Sequence, residues 1–161
     1  MERIDRAERI IAASAASVYT ALVDPTALGA WLPPDEMTAA IDRFAPGVGG
    51  GFRMTLSYPD SDLEPDGSGP GKTTPLTDVV DVSYTRLEPD ALVEWQARFV
   101  TPAEASAPMT QTWSLIPVTH AGTRVEIAAS DVPRGVPAGV HEAALATSLD
   151  QLAAWVIESV R

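Results

Sequence analysis

The sequence predicts an α+β fold in which one curved antiparallel sheet of about six to seven strands wraps around a long C-terminal helix. Two observations carry that expectation. Strand signals cluster between about residues 37 and 130 instead of alternating with helices, which argues for an antiparallel sheet. The last segment then changes period: Val140, Ala144, Leu145, Leu149, Leu152, Val156 and Val160 recur at spacings of three to five, the stripe of an amphipathic helix. A chain of 161 residues fits one domain, 1–161.

Residues 3–13 mix charge with Ile4, Ile10, Ile11 and Ala12 and read as a first strand with one face in water. Ser14 stands at a natural N-cap ahead of Ala15–Val23, since its hydroxyl oxygen can accept from a first-turn amide. Val18, Tyr19 and Leu22 make that helix's buried stripe. Asp24-Pro25 ends it and starts a second short helix, about Thr26–Trp31, closed by Pro33-Pro34. Met37–Phe44 leads into a turn at Ala45–Gly50. Phe52, Met54, Leu56 and Tyr58 then alternate with Arg53, Thr55 and Ser57, the period of a half-buried strand. Residues 59–71 have loop composition. Strands follow at Thr77–Leu87 and Leu92–Val100. After a loop at 101–108 come Met109–Val118 and Thr123–Ser130, joined through Thr119–Gly122. The closing helix runs from about Pro137 to Ser159.

Composition removes several classes of function. Twenty-two acidic residues against eleven basic give a net charge of −11, which opposes binding to a phosphate backbone or an anionic membrane. Without cysteine there is no disulfide, thiolate zinc site or cysteine nucleophile. The opening residues Met1–Arg9 are charged and lack a signal peptide's apolar run, and no stretch reaches the ~18 apolar residues of a membrane span. The expected location is the cytoplasm.

Two motifs imitate ligand sites. Asp66-Gly67-Ser68-Gly69-Pro70-Gly71-Lys72-Thr73 resembles a phosphate loop, but the glycine required six residues before the lysine is Asp66, and a strand follows instead of a helix. A solvated loop is the better reading. Gly47-Val48-Gly49-Gly50-Gly51 also precedes a strand, so it reads as a turn needing positive φ. The two histidines, His120 and His141, have no metal-ligand spacing, and no metal or cofactor is expected. His120 reads as a surface residue at a hairpin tip. His141, at the start of the long helix, is a candidate pocket residue.

The aromatics say more. Trp31, Tyr58, Trp95, Phe99 and Trp113 fall on inward faces or at the short helical corner. Gln111 is in phase with Met109, Trp113 and Leu115, so it should point inward too, where a buried amide needs partners. Core packing alone would place these residues there. A sheet wrapped around one helix can also leave a cavity, and apolar pockets with a few polar groups are the usual form of small-molecule sites.

At family level the chain resembles the START-like helix-grip (SRPBCC) superfamily, and within it the bacterial domains related to the C-terminal domain of the heat-shock-protein-90 ATPase activator. The resemblance rests on Ala13-Ser14 through Asp24-Pro25 with Ala30-Trp31-Leu32, on Pro46–Arg53, on Leu87–Trp95, on Gly122-Thr123-Arg124-Val125 and on Leu149-Asp150-Gln151-Leu152. It covers nearly the whole chain and implies the helix-grip fold, with ligands held between sheet and long helix. Where such helices usually carry Gly-Trp, this chain has Ala144-Leu145, which leaves room and adds Leu145 to the candidate ligand-binding residues. The resemblance implies no shared catalytic residue, and fold alone does not set function. Three readings follow: a binder of a small apolar or aromatic molecule; a cyclase- or dehydratase-like enzyme using cavity carboxylates, Gln111 or His141; or a module that contacts a chaperone. Ligand identity and oligomeric state stay open at this level.

Overall fold

The computed structural model describes residues 2–102 and 107–161, so part of the connection expected at 101–108 lies outside the described residues. The chain runs β1 (Ile4–Ile11), α1 (Ala15–Val23), α2 (Pro25–Trp31), β2 (Thr38–Ala45), β3 (Gly51–Ser57), a 3-10 turn at Asp60–Asp62, β4 (Thr77–Glu88), β5 (Leu92–Val100), β6 (Met109–Val118), β7 (Gly122–Ser130) and α3 (Ala138–Ser159). The seven strands form one antiparallel sheet in the order β1-β7-β6-β5-β4-β3-β2. This is the expected helix-grip architecture, with two short helices between the first two strands.

Local chemistry sets the element ends. Ser14 Oγ accepts from Ser17 N at 3.1 Å and Asp24 Oδ1 from Thr26 N at 3.0 Å, so each short helix has a side-chain cap. Gly51 has φ 151°, and a Cβ there would collide with the Val82 carbonyl, so glycine is required where β3 meets β4. His120 sits exposed at the β6–β7 tip with φ 65°.

The helix stripe differs from the one expected. Leu145, Leu149, Leu152, Ala153 and Val156 are buried, whereas Val140 and Val160 are exposed, as is Ala144. At 100° per residue Val140 falls about 140° around the helix from Leu145, on the far face, while His141 falls only about 40° away. The imidazole therefore extends the stripe that faces the sheet. β1 has one face in water, as expected; Ile4 and Ile10 lie on that face, and the carboxylate of Asp5 is buried at 2% exposure. Among the described residues, no helix is long and apolar enough to cross a membrane.

Candidate functional site

Sheet register divides the concave face into two halves. Asp5, Ala129, Gln111, Trp95 and Tyr84 form one transverse row across β1, β7, β6, β5 and β4. On one side of this row lies a packed core. Trp113 pairs with Val93 and Ile127, and all three are at most 1% exposed. Trp113 meets Trp31 edge to face, with ring centroids 5.6 Å apart and planes at 79°. On the other side, the row of Met109, Ala97 and Val82 and the row of Phe99, Val80 and Met54 carry apolar side chains with no helix stripe over them.

That second half is a cavity of about 420 Å³. Its floor is the sheet, and Leu32 and Pro34 after α2 close one side. Val132, Pro133 and Val136, from the connection between β7 and α3, close another. Three polar side chains reach its wall: Lys72, Gln111 and His141. The volume lies in the range of small-molecule sites, ~300–1,000 Å³.

Each polar group is held from behind. Trp95 Nε1 donates to Gln111 Oε1 at 2.8 Å. His141 Nδ1 lies 2.7 Å from Asp5 Oδ2, and Asp5 also receives both Arg3 Nε (2.9 Å) and Nη2 (2.7 Å). The Arg3 bonds, together with His141, hold the Asp5 carboxyl down to about 2 in spite of burial, which works in the opposite direction. Lys72 sits 4.6 Å above the Phe99 ring centre and 3.4 Å from Asp78 Oδ2. Asp78, itself buried, accepts from Lys72 N at 2.6 Å and from the Tyr58 hydroxyl at 2.8 Å. Burial, followed by the bond to Asp78, pushes the Tyr58 hydroxyl up to about 12.

Of the residues singled out from sequence, the structure brings Trp95, Phe99, Gln111 and His141 onto one cavity wall. Trp31, Trp113 and Leu145 lie on the packed side, buried but off that wall. Trp31 spends its indole N–H on the Ala21 carbonyl at 2.8 Å, while the buried Trp113 Nε1 has no partner among the described residues. Tyr58 is also off that wall, bonded to Asp78. The glycine-rich 66–73 segment is a loop, as read, yet its lysine forms part of the cavity wall. Sequence reasoning missed Arg3, Asp5 and Asp78. The signal was available, because Asp5 shares strand parity with the buried Ile11, and Asp78 with Val80, Val82 and Tyr84. Among the described residues no cluster of three metal-ligating side chains occurs.

The sequence profile of a family described as Activator of Hsp90 ATPase homolog 1-like protein matches residues 12–156. Among solved structures, the chain is similar to the crystal structure of a Chromobacterium violaceum protein, at 25% identity and TM-score 0.78, over 95% of this chain and 96% of that one. A solution structure from Staphylococcus epidermidis is 14% identical with TM-score 0.77, over 100% and 93% of the two chains. An AHSA1-like protein of Aeromonas hydrophila is 18% identical with TM-score 0.71, over 98% and 94%. No curated protein matches the chain.

Proposed function

The chain belongs to the Activator of Hsp90 ATPase homolog 1-like family, and from that premise we propose that it binds a small apolar or aromatic molecule in the cavity between the sheet and the start of α3. The observation that supports this most is the cavity itself, about 420 Å³ and walled by Met54, Leu56, Val80, Val82, Phe99 and Met109 beside three polar side chains. Burying an apolar ligand against such walls gains about 25 cal/mol per Å² removed from water. The interior is open on this side, which favours a binder over a module whose role is only to contact a chaperone. A second reading, an enzyme of cyclase or dehydratase type, draws support from His141 at the wall with the Asp5 carboxylate bonded to it from behind.

Trp95 is the reporter. It lies at the cavity edge and is nearly inaccessible to water, so a ligand entering there alters its emission. Titration with a naphthalene-based fluorophore should quench tryptophan emission saturably. Ala97→Phe, which fills the floor, should weaken that binding at least tenfold while the fold persists by circular dichroism. Unchanged affinity in Ala97→Phe would place the probe elsewhere and remove the reading.

A further inference from the structure

The polar corner of the cavity is specified more closely than its apolar walls. Strands ~4.8 Å apart put Asp5 and Gln111, two strands removed in one row, about 10 Å from each other. His141 comes from α3 to meet Asp5, so its ring and the Gln111 amide stand within a small molecule's reach along the same wall.

Donor and acceptor inventories fix what these groups offer. An indole N–H only donates, so Trp95 assigns the Gln111 oxygen as its acceptor and leaves Nε2 with two hydrogens. That nitrogen has no partner among the described residues. An ionised carboxylate only accepts, and Asp5 is ionised at neutral pH, so Nδ1 of His141 carries the hydrogen. In the uncharged tautomer that this bond selects, Nε2 is a bare acceptor, and it too has no partner among the described residues.

A corner with one free acceptor and two free donor hydrogens is complementary to a hydroxyl group. The hydroxyl donates to His141 Nε2 and accepts from Gln111 Nε2. A ketone would leave the imidazole unpaired, and an ether could receive Gln111 but give nothing to His141. The walls beside this corner, Trp95, Ala97, Phe99 and Met109, suit a flat ring.

We propose that the cavity takes a phenol, oriented with its hydroxyl at Gln111 and His141, and that His141 accepts its proton. This rests on the reading of the cavity as a small-molecule site. In the step, the phenol O–H bond breaks and its electron pair stays on oxygen. The proton bonds to Nε2, and the imidazolium so formed lies against the Asp5 carboxylate. Site charge is conserved. Gln111 Nε2 donates to the phenolate oxygen. The other charged groups around the ring are Arg3 on β1, already bonded to Asp5, and Glu142 on α3, which accepts from the Arg6 amide. The flat apolar walls favour an aromatic hydroxyl over an aliphatic one, and transfer to an imidazole, ordinarily of pKa about 6.5, further favours a phenol made acidic by an electron-withdrawing substituent.

The test compares para-nitrophenol with para-nitroanisole, the same ring with its hydroxyl methylated. Both are titrated into the native protein at a pH one unit below the free phenol's own pKa. Tryptophan quenching reports binding, and the visible phenolate band reports ionisation. The expected result is at least tenfold tighter binding of para-nitrophenol, with a phenolate band several-fold stronger than in buffer. His141→Gln should lose that band, and Gln111→Leu should weaken phenol binding about tenfold. Equal affinities, or a band no stronger than in buffer, would overturn the proposal while leaving the apolar cavity reading intact. If neither compound quenches, both readings fall. The comparison on native protein decides the matter even if a variant does not fold.

Discussion

Replacing Val93 and Val80 with alanine, one at a time, separates the packed half of the sheet from the open half. Both are valines on the concave face of adjacent strands, β5 and β4, at 0% and 7% exposure. Each substitution removes two methyl groups and the same strand preference, so the transfer cost is about 1.6 kcal/mol in both at ~0.8 per carbon. Val93 is paired with Trp113 and Leu87 on the packed side. Its loss also leaves a closed hole of about 50 Å³, which at ~24 cal/mol per Å³ adds roughly 1.2 kcal/mol. Val80 lines the cavity, so the space it vacates joins a void already present and the second contribution falls away. Val93→Ala should therefore cost about 2.8 kcal/mol and Val80→Ala about 1.6. In urea melts with a slope near 2 kcal/mol per molar, the midpoints should differ by about 0.6 M with unchanged slope. Coincident midpoints, or a larger loss at Val80, would mean that the void beside β4 does not exist.

Leu152, fully buried in the α3 stripe, should cost ~2–5 kcal/mol on replacement with alanine, read by the same melts; a cost below ~1 would put the stripe out of phase. Asp5 titrates lower in the folded chain than the ~3.9 of an unfolded aspartate, so its stabilising contribution is complete above about pH 4 and is lost as pH falls toward 2. Acid melts of Asp5→Asn should accordingly be flatter than wild type across that window. Shortening the 60–68 loop should change stability by only a few tenths of a kcal/mol, since closure entropy varies slowly with length. Calorimetry with ATP should give no saturable heat in wild type or in Lys72→Ala, because a strand and not a helix follows the glycine-rich segment.

The order of elements was legible because it depends on local rules: the Ser14 and Asp24 caps, the period-2 alternation of Phe52–Leu56 and the change of period before α3 all act within a few residues. Half of the candidate site was legible for the same reason, since strand parity alone turns Trp95, Phe99 and Gln111 inward. What parity cannot supply is which part of the concave face the helix covers. Trp113 and Trp95 have the same inward orientation, yet Trp113 is packed under Trp31 while Trp95 borders the void. The helix phase decides that, and exposed apolar residues such as Val140 obscured it. Asp5 was overlooked because a charge in an otherwise half-polar strand reads as a solvent-facing residue. Arg3 is only two residues away, but its other partner, His141, is evident only once β1 and α3 are brought together across 136 positions of sequence.

The strand order has a kinetic consequence. β2 to β7 are a run of neighbours joined in sequence, each able to pair as soon as the next has been made, but β1 pairs only with β7, more than a hundred residues later. Contacts of such separation carry the largest loop-closure cost and form late. At a synthesis rate of ~5–20 residues per second, the first strand waits several seconds on the ribosome with an unpaired edge. Its alternating Arg3, Arg6 and Arg9 with Asp5 and Glu8 keep that edge from pairing with other chains in the interval. The polar corner of the cavity, which needs β1 and α3 together, is then among the last features to form, so a ligand that engages it stabilises only fully assembled molecules.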